Sequence, residues 1–125
     1  MTLTELTCLE AAVRRYLDLM YTCDVATFDQ VFAPTSQLHG IRDDKLIMWS
    51  AAEYKDILSK RISPQSEGAP REEKILLLDF ASETQALAKV QVRIGPSVFI
   101  DYLTFHAVGG EWRITGKGYH VVQPR

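Results

Sequence analysis

Residues 97–122 read SVFIDYLTFHAVGGEWRITGKGYHVV. Apolar and polar residues alternate on both sides of Gly109-Gly110, and a Gly-Gly pair between two such runs signals an antiparallel hairpin with a two-residue loop. Positions equidistant from the loop then lie opposite one another. One face carries Phe99, Asp101, Leu103, Phe105 and Ala107, answered by His120, Gly118, Gly116, Ile114 and Trp112. That face is apolar except for Asp101 and His120, which sit diagonally at roughly 7 Å. Gly118 and Gly116, across from Asp101 and Leu103, leave the space above the sheet unfilled. The pattern describes an apolar hollow with a carboxylate at its edge. A bulge would slip one strand and exchange its faces.

The preceding chain supplies what the hairpin packs against. Leu6, Leu9, Val13, Tyr16, Leu17 and Met20 recur at helical spacing, and Thr2 followed by Glu5 forms a capping box at the start of that helix. Asp24 caps a short second helix that turns Phe28, Val31 and Phe32 inward before Pro34 stops it. Ser36–Ile41 and Lys45–Trp49 read as strands joined at Arg42-Asp43-Asp44. Ser50 and Glu53 form a second capping box, opening a helix to about Lys60 that buries Tyr54, Ile57 and Leu58. Ser63–Arg71, with two prolines and a glycine, is expected to be a mobile surface loop near the pocket mouth. Glu73–Ala81 and Ala86–Ile94 form a strand pair turned at Ser82–Gln85, and Gly95-Pro96 leads into the hairpin. Helices first and a meander of four strands last make an α+β domain, its sheet wrapped around helices.

Composition narrows the function. A chain of 125 residues is expected to form one domain, 1–125, able to bury a core without disulfide or metal support. A net charge of −2 with interspersed signs offers no basic stripe for nucleic acid. Neither a membrane-spanning apolar run nor a signal peptide is present, and Cys8 and Cys23 lack metal-ligand spacing, so a cytoplasmic protein with reduced thiols is expected. His39 and His106 form no metal triad with His120, because alternation puts His106 on the other strand face. Without a glycine-rich phosphate loop or G-x-S-x-G elbow, no cofactor and no metal are expected.

Asp101, His120 and Tyr16 are the candidate catalytic residues. Burial would favour the neutral form of Asp101 unless a cation or several donors answered it. As a neutral acid it could donate to a carbonyl or developing enolate; paired with His120 it could orient that imidazole as a base. The Tyr16 hydroxyl needs a partner if buried. Trp49, Tyr54, Phe99, Leu103, Phe105 and Trp112, with Gly116 and Gly118, are the expected pocket lining. On the hairpin's other face, Ile100, Tyr102, Thr104, His106 and Val108 against Tyr119, Lys117, Thr115, Arg113 and Val121 form a mixed surface suited to a two-fold sheet-to-sheet homodimer, joined by Leu87, Gln91 and Arg93.

Tyr16 through Asp24 to Phe32-Ala33-Pro34, then Asp101-Tyr102-Leu103-Thr104, then Gly110-Glu111-Trp112-Arg113-Ile114 ending at Lys117, resembles the nuclear transport factor 2-like superfamily. Within it, the progression is similar to the group labelled "putative lumazine-binding". The resemblance spans nearly the whole chain through core and turn residues. It implies a cone of strongly curved, mixed or antiparallel sheet around N-terminal helices (the cystatin-like architecture), often dimeric through the sheet, with an apolar pocket that serves either catalysis or plain binding. Arg15-Tyr16 and Ile100-Asp101 look like the positions where ketosteroid isomerase places the tyrosine and protonated aspartic acid of its oxyanion hole. That enzyme's base would fall near Gly40, which cannot act as one. The leading expectation is therefore a binder of a small apolar or cyclic organic ligand. The alternatives are a cofactor-independent lyase or isomerase on a small cyclic or carbonyl substrate, and a protein-interaction module using the sheet face.

Overall fold

Both capping boxes form in the computed structural model, which describes residues 2–122. Thr2 caps helix α1 (Leu3–Thr22) and Ser50 caps helix α3 (Ala51–Lys60): each cap's hydroxyl accepts from the backbone N–H three residues on, and each cap's own backbone N–H donates to the glutamate carboxylate there. α1 buries Leu9, Ala12, Val13, Tyr16, Leu17, Leu19 and Met20 along one side, each large apolar residue contributing about 1.5–3 kcal/mol. Asp24 caps a 3₁₀ turn (Val25–Thr27) that runs into the four-residue helix α2 (Phe28–Val31).

Six strands follow: β1 (Phe32–Arg42), β2 (Lys45–Ser50), β3 (Glu73–Phe80), β4 (Gln85–Ile94), β5 (Ser97–Val108) and β6 (Glu111–Val122). They form one mixed sheet in the order β2-β1-β6-β5-β4-β3, antiparallel throughout except where β1 runs parallel to β6. The short helix ends at Val31, ahead of Pro34, and the proline does not begin a loop. It lies inside β1, where the register against β6 is irregular between Phe32 and Gln37, a place where the missing N–H breaks no ladder bond. The helices pack on the sheet's inner face, and the core between them includes Leu38, Ala88, Val90, Leu103, Phe105 and Ile114.

Gly109 and Gly110 form the two-residue loop, both at positive φ, with Val108 opposite Glu111. The expected pairing holds from there to Phe105 opposite Ile114, and then it slips. Thr104 pairs with Gly116, so Thr115 is an extra residue in β6, and Asp101 lies opposite Tyr119 rather than Gly118. Thr115 is held on the outer face by His106 Nδ1, 2.6 Å from its hydroxyl. Beyond this bulge every β6 side chain changes sides. Lys117 and Tyr119, expected outside, turn inward; Gly118 and His120, expected inside, turn outward and are exposed.

The segment expected to be a mobile loop is tied to α1. Tyr21 Oη donates to the Ala69 carbonyl at 2.7 Å, Gln65 N–H donates to the Tyr21 carbonyl, and Arg71 bridges Asp18 and Glu73 while its guanidinium covers the Tyr21 ring at 4.8 Å. Among the described residues no helix is long and apolar enough to cross a membrane.

Candidate functional site

Four elements converge on one buried polar cluster. α1 carries Tyr16, α3 carries Tyr54, β5 carries Asp101, and the bulged β6 carries Lys117. Tyr16 is fully buried and Asp101 is 1% exposed, yet Tyr16 Oη donates to Asp101 Oδ2 at 2.5 Å. Lys117 Nζ stands 3.9 Å from the same oxygen and donates to Tyr54 Oη at 3.2 Å, which faces Met20 Sδ at 3.4 Å. The ammonium also lies over the rings of Tyr16, Tyr54 and Tyr119, at 5.1, 4.8 and 6.0 Å from their centres. An enclosed ammonium needs such compensation, since aromatic faces and a counter-ion replace the water it gives up. Burial, with the Asp101 carboxylate adding to it, raises the Tyr16 phenol well above its ordinary pKa. Tyr16 therefore remains a proton donor through neutral pH, and Asp101 Oδ2 is its acceptor.

The cluster floors a cavity of about 40 Å³ bounded by Arg42, Trp49, Tyr54, Arg61, Ile94, Phe99, Asp101, Lys117 and Tyr119. Its aromatic wall is ordered: Trp49 stacks on Tyr54 at 6.0 Å and on Tyr119 at 5.8 Å, and Phe99 meets Tyr119 edge-on. Tyr119 fits because the neighbouring position on β1 is Gly40, where a Cβ would collide with the phenol ring. Three buried polar atoms lack a partner among the described residues: Asp101 Oδ1, Arg61 Nη1 and Tyr119 Oη. All three belong to residues lining this cavity. Wider depressions, of about 510 Å³ beside Trp112 and about 520 Å³ on the outer sheet face, are open grooves without such convergence.

The expected site residues divide accordingly. Asp101, Tyr16, Trp49, Tyr54 and Phe99 meet in or under the cavity. Leu103 and Phe105 are wholly buried core, and Trp112 packs edge-on against Phe80 beside a different groove. Gly116 and Gly118 border the outer-face groove. His120 pairs with Ile100 on the outer face and does not share the cavity with Asp101, because the Thr115 bulge reversed its strand. The hollow expected over the glycines is instead occupied by Lys117 and Tyr119. Sequence reasoning missed Lys117, Tyr119, Arg42 and Arg61 as site residues. The available signal was glycine at both Gly116 and Gly118 within one strand, which marks a bulge as readily as a void. Among the described residues no cluster of three or more His, Cys, Asp or Glu could hold a metal ion.

Comparison with known proteins agrees with this architecture. The model of the family described as "Putative lumazine-binding" matches residues 4–120. An NTF-2-like protein of unknown function from Silicibacter pomeroyi is 21% identical with a TM-score of 0.81, the match covering 98% of this chain and 100% of that one. One from Shewanella baltica is 20% identical with a TM-score of 0.86, covering 98% of each chain. A ketosteroid isomerase-like protein from Erwinia carotovora is 15% identical with a TM-score of 0.77, covering 98% of this chain and 100% of that one. No curated protein matches the chain.

Proposed function

This chain belongs to the "Putative lumazine-binding" family of the nuclear transport factor 2-like superfamily, and from that premise we propose that it binds a small organic molecule in the cavity above Asp101 and Lys117. One observation carries the proposal: among the described residues Asp101 Oδ1, Arg61 Nη1 and Tyr119 Oη are buried without a hydrogen-bond partner, and all three belong to residues lining one space. An unsatisfied buried polar group costs about 1–3 kcal/mol, and more when charged. Three in one place, walled by stacked aromatic rings, are what a ligand with matching donors and acceptors would satisfy. The ligand class the sequence favoured, a small apolar or cyclic organic molecule, suits the Trp49, Tyr119 and Phe99 walls.

Binding is favoured over catalysis by what the lining lacks. A lyase or isomerase using Asp101, His120 and Tyr16 needs a base within hydrogen-bond reach of the substrate. His120 faces away, the Tyr16 proton is committed to Asp101, and that carboxylate is answered by Lys117. A sheet-to-sheet homodimer remains part of the proposal. Tyr102, half exposed, and the adjoining outer-face groove lined by His39, Leu87 and Thr104 provide a mixed surface for it.

The test is native mass spectrometry of the purified protein, followed by NMR screening of a library of small cyclic compounds. The expected result is a retained or added small molecule that shifts the Trp49 indole resonance, an effect abolished by Tyr119→Trp, which fills the cavity. Library members that shift only outer-face residues, or none, would overturn the assignment of the site.

A further inference from the structure

We infer that the ligand is a small planar organic anion, a flat ring bearing a carboxylate, with Arg61 as the group that receives its charge. The inference rests on the binding reading above and adds the sign of the ligand. Three cations line the cavity, Arg42, Arg61 and Lys117, against one carboxylate, Asp101. Asp101 already has an answer in Lys117 at 3.9 Å. The arginines do not: no carboxylate lies within ion-pair distance of either among the described residues. Arg61 stands at the C-cap of α3, its guanidinium over the Tyr54 ring at 5.9 Å and its Nη1 buried without an acceptor. A guanidinium cannot shed its charge, and its planar fork matches a carboxylate with two parallel hydrogen bonds. An anion seated there would satisfy the buried donor and offset the cavity's excess positive charge together.

The ligand's body is set by the remaining walls. Trp49 and Tyr119 stack at 5.8 Å with their planes 11° apart, and Phe99 closes the side, leaving a surface complementary to a ring. Asp101 Oδ1, unpartnered at the floor, accepts a hydrogen bond from a ring N–H or O–H. The space of about 40 Å³ is smaller than a six-membered ring, so a wall must yield. Arg42 is exposed and held over Trp49 by a cation–π contact at 5.7 Å. It is the wall most readily displaced, and it adds a second cation once the ring is in place.

The experiment compares matched probes by NMR titration: benzoate, 4-hydroxybenzoate, neutral benzamide and cationic benzylamine, against the wild type, Arg61→Gln and Arg61→Lys. Benzoate is expected to bind at least tenfold more tightly than benzamide, and 4-hydroxybenzoate more tightly than benzoate. Arg61→Gln should remove the benzoate advantage while leaving benzamide affinity within about twofold, and Arg61→Lys should restore part of it. Because Arg61 lies at a helix terminus, urea melts of each variant separate lost affinity from lost folding. Benzamide or benzylamine binding as well as benzoate at the Trp49 and Tyr119 resonances would overturn the anion assignment and leave the binding site standing. No probe perturbing those resonances at about 10 mM, ten times a Kd in the millimolar range, would overturn both.

Discussion

The buried pair Asp101–Lys117 lends itself to a double-mutant cycle. Their charged atoms are 3.9 Å apart, with side chains only 2% and 6% exposed. At an effective dielectric of about 20, the attraction at that distance is about 4 kcal/mol before desolvation is charged against it. Asp101→Asn removes the counter-ion of an enclosed ammonium and weakens the hydrogen bond from Tyr16. Lys117→Met leaves the carboxylate with Tyr16 as its one side-chain donor among the described residues. Each single change should therefore cost about 3–5 kcal/mol, the range for breaking one half of a buried pair. The double variant leaves no orphaned charge and should be no less stable than the worse single one. The coupling energy should then be at least the smaller of the two single costs, about 3–5 kcal/mol. Urea unfolding reads this directly, since a loss of 3 kcal/mol lowers the midpoint by about 1–3 M. Repeating the cycle at about 0.5 M salt should leave the coupling nearly unchanged, because screening acts weakly on buried pairs. A coupling below about 0.5 kcal/mol, the size found for solvent-exposed pairs, would refute the picture of a mutually dependent buried floor.

Tyr16 gives a pH prediction. Its phenol pKa is raised in the fold by burial and by the Asp101 carboxylate, so above about pH 10 the unfolded chain releases this proton first. Stability should be intact below that pH and fall above it, with a slope from this group of up to about 1.4 kcal/mol per pH unit; Tyr16→Phe should flatten the slope in urea melts between about pH 9 and 11. His120→Ala, on the exposed outer face, should change stability by less than about 0.5 kcal/mol and leave benzoate affinity unaltered; a loss of binding would show that β6 carries the other register. Gly40→Ala should displace the Tyr119 ring from its seat and shift the Trp49 indole resonance, whereas an unchanged spectrum would contradict the close approach of β1 to that ring. Sedimentation velocity should report a dimer, with Tyr102→Glu driving it toward monomer; a wild-type monomer at micromolar concentration would dismiss the sheet interface.

Local chemistry made most of the fold legible. Thr2/Glu5 and Ser50/Glu53 announce helix starts because reciprocal capping depends on residues three apart, and Gly109-Gly110 announces the hairpin because both loop residues require positive φ. The alternation in β5 placed Asp101 inside correctly. Tyr54 was legible as buried because it lies on the apolar side of α3. The inward turn of Lys117 and Tyr119 was not legible. Nothing in T-G-K-G-Y states which residue leaves the ladder, and the choice of Thr115 rests on a tertiary contact, its hydroxyl against His106 across the outer face. The parallel pairing of β1 with β6 was equally hidden, since it joins residues as distant in sequence as Phe32 and Ile114. Arg61 escaped because it is the first residue beyond a helix, where neither helical nor strand periodicity assigns a direction.

One inserted residue thus determines the chemistry of the site. Without Thr115 as the extra residue, β6 would present His120 and two glycines to the cavity, an imidazole beside a carboxylate above an open floor, the constellation of a proton-transfer site. With it, the same strand presents an ammonium and a phenol, which fill the hollow, answer Asp101 and leave positive charge in excess. The two outcomes differ by no substitution, only by where the ladder skips. Deleting Thr115 is therefore a sharp test of the bulge: with the extra residue gone, Ile114 stays opposite Phe105 and Gly116 opposite Thr104, so a regular ladder keeps Lys117 and Tyr119 facing the cavity. The variant should keep its preference for benzoate over benzamide and lose only the outer-face contact of Thr115 with His106. If it lost the anion preference together with about 3–5 kcal/mol of stability, as in breaking the buried pair by substitution, Lys117 would have left the cavity, and the extra residue of β6 would not be Thr115.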